Sequence, residues 1–321
     1  MMARANAARH LVVWRFADGV RGHENQSDGL IAALADRTQV SIHTVSTPRD
    51  RRIKVLWRAL MGADYRTIPD PDLLIGAGQA TNLPMLAARQ RRGGHVVVLM
   101  KPSFPMSWFD LLIVPAHDRL KARPNLLITR GSLNGMRPAD EKNHHEGLLL
   151  IGGPDYEYRW APEELAAQIA VIVQRQGDVR WSVASSRRTP GDFLARLRQM
   201  RLTNLQTVAV EEVDAEWLPA KLATAATVWV TEDSVSMLYE ALSAGAATGL
   251  LDMPRRGAST SKRNLGDGLL ADGLVTSFDA WRNGQVLLPP SEPLDEAGRC
   301  ADWIVQKWQG ASPPMTEMFP P

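Results

Sequence analysis

The sequence predicts an α/β protein built from two Rossmann-like domains in tandem, and three observations carry that expectation. Short runs that are apolar throughout alternate with amphipathic segments, the pattern of parallel sheets covered on both faces. The alternation pauses at a polar stretch, ADEKNHHEG, and then restarts. Late in the second series, residues 227–254 read as buried strand, polar turn, helix and buried strand, a unit that places its turn at the carboxyl edge of a parallel sheet.

In the first series, residues 11–16, 40–45, 73–77, 95–100 and 111–115 are expected strands, with helical segments near 27–35 and 81–92. The junction is expected near 138–147, giving a first domain over 1–140 and a second over 145–290. The same alternation then runs through 148–151, 163–174, 180–184, 191–200, 206–210 and 215–226. A last helical segment, 295–307, has an apolar face that needs a partner, and the Pro-rich tail over 311–321 is expected to be frayed.

Composition sets bounds. The 321 residues, 45% hydrophobic and 22% charged, suffice for two cores. A net charge of +2 argues against a dedicated nucleic-acid binder. The single cysteine, Cys300, excludes an intrachain disulfide and a multi-cysteine zinc site and fits a reducing compartment; no metal is expected. The apolar run broken by Arg15 is too short for a secretory signal, and nowhere do eighteen apolar residues run together, so a cytoplasmic location is expected.

The strand–helix–strand unit offers the sharpest chemistry. Asp233 or Ser234 is the expected helix N-cap, and the backbone N–H groups of Ser236 and Met237 would face an anion, helped by the helix dipole. Glu240, one turn on, lies near the same face. A phosphate cradle followed by a carboxylate suits a nucleotide, its diphosphate on the helix start and its ribose hydroxyls on the acid. Gly152 and Gly153 follow the 148–151 strand and would let backbone approach a phosphate, although such a pair is often a mere turn. Ser186, Arg187 and Arg188 follow the next strand and supply a hydroxyl and two guanidiniums, although an arginine pair on a loop is often solvated surface. All three turns fall at carboxyl ends of strands in one domain, which points to a shared anionic ligand.

The first domain opens with a polar turn over residues 17–29 that carries Asp18, His23, Glu24, Asn25 and Gln26. It has neither the G-x-G-x-x-G spacing of a dinucleotide loop nor the Gly-Lys-Ser/Thr of a P-loop, which disfavours both chemistries. His23 suits a general base, or it caps the helix that follows. Lys101 and Ser103, then His117 and Asp118, follow later strands in the same way. A basic stretch at 48–60 carries Arg49, Arg51, Arg52, Lys54 and Arg58 around Val55, Leu56 and Trp57. It reads either as a solvated helix with one buried face or as an interfacial helix on anionic lipid. FPMSWF at 104–109 is either a further apolar membrane contact or core.

Together GHENQ at 22–26, SSRRTP at 185–190 and TEDSVSMLYEA at 231–241 resemble the bacterial members of the mitochondrial fission ELM family, over roughly residues 11–280. The family is in turn similar to glycosyltransferases of the GT-B fold. That resemblance implies two Rossmann-like domains facing across a cleft, the second holding a nucleotide-sugar and the first an acceptor, with a terminal helix over 295–310 packing back toward the first. Gly152 and Gly153 match the second domain's glycine turn, Arg187 its basic residue, Ser236 and Met237 its diphosphate-binding helix start, and Glu240 its ribose-binding acid. Gly22 and His23 match the first domain's glycine- and histidine-bearing loop, which here is poorer in glycine. Pro154 stands where a hydroxyl residue is common.

The implied activity is metal-independent, inverting transfer of a sugar from a nucleoside diphosphate, UDP among the options, to a lipid-linked or cell-envelope acceptor. The nucleotide-sugar would be donor substrate; no cofactor is implied. His23 is the first candidate base, and Glu24 or Asp18 the second. The helix start with Arg187 or Arg188 would meet the charge on the departing diphosphate. A lipid-linked acceptor would suit peripheral attachment through 49–58 to the inner face of the cytoplasmic membrane. Two alternatives stay open: a non-catalytic scaffold on a transferase fold, and a nucleotide-sugar epimerase.

Overall fold

The computed structural model describes residues 10–47, 67–257 and 261–308. The chain divides into two compact units, Met1–Gly135 with Asp295–Pro321, and Met136–Leu294. The division at Gly135 precedes the expected 138–147 junction. Each unit carries a six-stranded, all-parallel sheet flanked by helices, a Rossmann-like architecture found twice along the chain.

In the first unit the strands are β1 (Leu11–Ala17), β2 (Val40–Ser46), β3 (Leu73–Ala77), β4 (His95–Leu99), β5 (Leu111–Pro115) and β6 (Leu126–Thr129), in the order β2-β1-β3-β4-β5-β6. β3, β4 and β5 are buried along their whole length, as strands covered on both faces must be. Helix α1 (Arg21–Ala35) starts six residues before the expected 27, so GHENQ lies on its first turns and not in a loop. Glycines at 22 and 29 hide the helical period in the sequence. Gly29 is required by packing: a Cβ there would lie 2.4 Å from the Asn134 carbonyl carbon. Helix α2 (Gln79–Arg92) follows β3.

The terminal helix (Glu296–Trp308) belongs to this unit. Its Ala297, Cys300, Ala301 and Ile304 are buried in one cluster with Leu30, Ile31 and Leu34 of α1. Arg37 pairs with Asp302, and Trp308 stacks on His95 with ring centroids 4.4 Å apart. Burial pushes the Cys300 thiol up to about 12, so it stays an unreactive packing group. Phe109 is buried, and the half-buried Phe104, Met106 and Trp108 pack against its cluster, so the apolar side chains of 104–109 have core partners.

The second unit runs β7 (Asn143–Ile151), α3 (Pro162–Arg175), β8 (Arg180–Ser185), α4 (Phe193–Gln199), β9 (Leu205–Val208), α5 (Trp217–Thr224), β10 (Ala225–Thr231), α6 (Val235–Ser243), β11 (Ala247–Leu251), α7 (Ser261–Ala271), β12 (Thr276–Ser277) and α8 (Phe278–Arg282). Its sheet order is β12-β11-β10-β7-β8-β9. β7 starts five residues before the expected 148 and takes in half of the polar stretch, because its exposed first turn of backbone still pairs with β8 and β10. Two strand glycines make room for the indole of their register partner. A Cβ on Gly147 would approach the Trp181 ring to 2.5 Å, and one on Gly249 the Trp229 ring to 2.3 Å. Lys142 donates to the carbonyls of Leu222, Ala223 and Ala244, tying together the ends of α5 and α6 where the helix dipole favours a cation.

The basic stretch at 48–60 and the 311–321 tail lie outside the described residues. Among the described residues no helix is long and apolar enough to cross a membrane, and no His/Cys/Asp/Glu group could hold a metal ion.

Candidate functional site

The carboxyl ends of β8, β7 and β10, adjacent in the sheet, bring three of the sequence-predicted turns into contact. The Gly152 N–H donates to Thr231 Oγ1 at 2.8 Å, and the Gly153 N–H to Asp233 Oδ2 at 3.0 Å. A Cβ on Gly152 would fall 2.1 Å from Asp233 Oδ2, and one on Gly153 2.1 Å from the Arg188 carbonyl oxygen. The two glycines are therefore compelled by this junction itself, before any phosphate is considered. Ser186 Oγ donates to the Gly152 carbonyl at 2.9 Å, so its hydroxyl fastens two turns together.

The arginine pair splits in role. Arg188 Nη2 sits 2.6 Å from Asp233 Oδ2, and its Nη1 donates to the Gly153 carbonyl at 3.1 Å. Arg187 is exposed and makes no hydrogen bond or ion pair among the described residues. Asp233 is sealed from solvent and serves as the counterion of Arg188, not as the helix cap. Ser234 occupies the N-cap position, but its side chain makes no capping bond. Of the two expected N-caps the structure places Ser234 at that position, without a side-chain bond, while the ion pair captures the Asp233 carboxylate. The N–H groups of Val235, Ser236 and Met237 precede the first bond onto the helix, from Leu238 N–H to the Ser234 carbonyl. Ser236 is exposed, Met237 half-buried and Glu240 buried.

A second ion pair escaped the sequence reading. Glu232, buried beside Asp233, binds Arg255 and accepts the Met253 N–H at 3.1 Å. The segments after β7 and β11 meet across the end of β10, which lies between those strands. The Arg159 N–H donates to the Pro254 carbonyl at 2.8 Å, and the Arg256 N–H to the Glu157 carbonyl at 2.6 Å. Two consecutive acids thus grip arginines from opposite sides of the β10 exit. Nearby, burial and then the charge of Glu232 push the Asp252 carboxyl up to about 6.

In the first unit, β1 delivers Asp18 and the first turn of α1 delivers His23. His23 Nδ1 lies 2.9 Å from Asp18 Oδ2, and Asp18 Oδ1 accepts the Val20 N–H at 3.1 Å. The Asp18 side chain is fully buried, while the His23 ring keeps 18% exposure. A carboxylate can only accept, so Nδ1 carries the proton and Nε2 is the nitrogen left for chemistry. Gly78, with φ +82°, seats the ring: a Cβ there would lie 2.3 Å from His23 Nδ1. Glu24 Oε1 accepts the Gly19 N–H at 3.2 Å and fastens the loop. Asp18 thus holds the His23 ring directly and Glu24 holds the loop before α1; residue type alone offered both as second candidates for the base. The missed partner, Gly78, has no sequence signal beyond a glycine after an apolar strand.

Residues 21–308 match the family model described as mitochondrial fission ELM1. The chain belongs to that family. In this ELM1-family chain GHENQ opens α1, SSRRTP forms the turn after β8, and TEDSVSMLYEA joins the end of β10 to α6. No curated protein sequence matches it. Among solved structures it is similar to a protein described as a UDP-N-acetylglucosamine 2-epimerase from Listeria monocytogenes, with a TM-score of 0.62 at 12% identity over 97% of this chain and 100% of that one. The UDP-GlcNAc 2-epimerase from Methanocaldococcus jannaschii gives 0.60 at 13% identity, over 94% of this chain and 100% of that one. The enzyme from Neisseria meningitidis, bound to UDP-GlcNAc, gives 0.52 at 10% identity over the same shares. Identities this low speak for the ELM1 chain's fold alone.

Proposed function

We propose that this ELM1-family protein binds a nucleoside diphosphate sugar at the carboxyl edge of the second unit's sheet and transfers the sugar, with inversion and without a metal, to an acceptor hydroxyl. The observation that carries the reading is the direct bonding of Gly152–Gly153, Ser186–Arg188 and Asp233 around the start of α6. The Neisseria neighbour's bound UDP-GlcNAc supports a uridine nucleotide as the first to test.

In this mechanism the first-turn N–H groups of α6 and the exposed Arg187 take the diphosphate, and Glu240 takes the ribose hydroxyls. Arg188, already held by Asp233, needs no reorganisation to add its charge. The acceptor oxygen forms its bond to the anomeric carbon as the bond to the diphosphate breaks; that electron pair leaves with the diphosphate, and the acceptor proton passes to His23 Nε2. Asp18 keeps the ring oriented through Nδ1. A lipid-linked or cell-envelope glycan is the proposed acceptor class, approached from the inner face of the membrane.

Calorimetric titration of UDP, GDP, ADP and CMP into wild type and Glu240→Ala tests the donor site. Binding of one diphosphate that Glu240→Ala loses is the expected result. No binding to folded wild type at millimolar concentration overturns the reading and leaves a scaffold role. A second reading, epimerisation, is suggested by the three structural neighbours, each described as a UDP-GlcNAc 2-epimerase. Incubating UDP-GlcNAc in deuterium oxide without acceptor separates the two: deuterium at the sugar's C2 means epimerisation, and an unlabelled sugar leaves transfer.

A further inference from the structure

The turn beyond Gly152–Gly153 carries an aromatic residue that no step above uses. Asp155 Oδ1 accepts the N–H groups of Glu157 at 2.7 Å and Tyr158 at 2.8 Å, and the Asp155 N–H donates to the Tyr158 carbonyl at 3.2 Å. Residues 155–158 are thereby closed into a tight, internally bonded loop, the use to which an aspartate at such a position lends itself. Glu157 and Tyr158 are buried, and the Glu157 carbonyl and the Arg159 N–H are paired to the segment after β11. Tyr156, immediately before them, is 71% exposed, more than any other large hydrophobic side chain described. Its hydroxyl is hydrogen-bonded to the Glu157 carboxylate, which pushes the phenol above its ordinary range.

These facts pull in opposite directions for a side chain of no consequence. A tyrosine that merely braced its loop would bury its ring, and an idle one would be free to rotate. Here the root is fixed by a rigid turn and the tip by a buried acid, while the ring faces are left to solvent. An aromatic held in this way has already lost its rotamer freedom, so stacking a ligand ring against it carries little further entropic cost. The turn lies two residues past Gly153, beside the proposed diphosphate cradle.

We infer that Tyr156 is a stacking platform for the ring group joined to the diphosphate, its flat face meeting the base or the sugar. This rests on the nucleotide reading above. Asp155 and Glu157 are its positioning residues, the first through the backbone and the second through the phenol.

The test titrates inorganic pyrophosphate, UDP and UDP-GlcNAc into wild type, Tyr156→Ala and Tyr156→Phe. All three proteins should bind pyrophosphate alike. Tyr156→Ala should weaken a ring-bearing ligand by about ten-fold, in the range of single aromatic–base stacks. Loss already at UDP assigns the base to Tyr156; loss only at UDP-GlcNAc assigns the sugar. Tyr156→Phe keeps the ring and should stay within about three-fold of wild type, losing only the pin to Glu157. Equal affinity of Tyr156→Ala and wild type for both nucleotides overturns the inference, as does equal weakening of pyrophosphate, which would mark a collapsed turn. If wild type binds none of the three, the nucleotide reading fails and this inference falls with it; if wild type binds and Tyr156→Ala matches it, this inference alone fails.

Discussion

The Asp233–Arg188 pair has an asymmetry that mutation can expose. Asp233 has no solvent access at its side chain, whereas Arg188 keeps 41%. Asp233→Asn preserves the shape and an acceptor for the Gly153 N–H, loses the charge, and leaves the guanidinium free to hydrate. The Gly153 N–H bond becomes a neutral one, the Arg188 bond keeps charge on the donor alone, and the exposed half of the pair was already screened, so the cost should be about 2 kcal/mol. Arg188→Met instead strands a buried carboxylate from its counterion, and the cost should approach about 3–4 kcal/mol. With both changed, no charge is stranded, so the double variant should be more stable than the sum of the singles by about 1–2 kcal/mol. Urea unfolding of the three variants, followed by fluorescence of the buried tryptophans, measures all of these terms. An Arg188→Met variant more stable than Asp233→Asn, or strict additivity in the double, would refute the reasoning. The same proteins should bind pyrophosphate more weakly than wild type, since each loses a preplaced guanidinium.

Three further predictions follow from the geometry. Asp252 has its pKa raised in the folded state, first by burial and then by Glu232. Its charge therefore destabilises the fold fully above pH 6, and not at all below the unfolded carboxyl's pKa of about 4. Asp252→Asn should gain about 1 kcal/mol at pH near 7.5, discounted for partial exposure, and urea midpoints should show that gain vanishing as pH falls to about 4. Gly249→Ala drives a methyl into the fully buried Trp229 ring and should cost about 3 kcal/mol by the same unfolding measurement, whereas Gly177→Ala, which meets nothing within 4 Å, should be close to neutral. His23→Ala should lower turnover far more than UDP affinity. Asp18→Asn should do the same while leaving Nε2 present, and nitrogen NMR should show the ring's tautomer shifting away from Nδ1–H.

The strands were legible because burial on both faces leaves its mark residue by residue: β3 and β5 fall where their apolar runs do. β6 was not, since LLIT at a sheet edge is half exposed and four residues long. α7, β12 and α8 were missed for a related reason, as SKRNLGDGLLA carries two glycines and the two-residue β12 is too short to show a period. At the candidate site, residue types at strand ends drew attention to the right turns, because sheet topology brings those ends together. Their pairings were invisible. That Asp233 would take Arg188, 45 positions earlier, and Glu232 take Arg255 depends on which strands are neighbours, and no local pattern encodes that. The same holds for Gly78 and the His23 ring, which meet only because β1 and β3 are paired.

The terminal helix gives this protein an unusual order of assembly at the ribosome. Ala297, Cys300, Ala301 and Ile304 complete a cluster begun by residues near Leu11, so the first unit stays unfinished until the 296–308 helix has been made. Residues 136–294 hold their own sheet and core and emerge before that helix. The second unit can therefore reach its native state while the first still exposes the α1 face that waits for the helix, reversing the usual amino-terminal-first sequence of domain folding. A chain cut before Glu296 would keep one finished domain and leave the other with an open core.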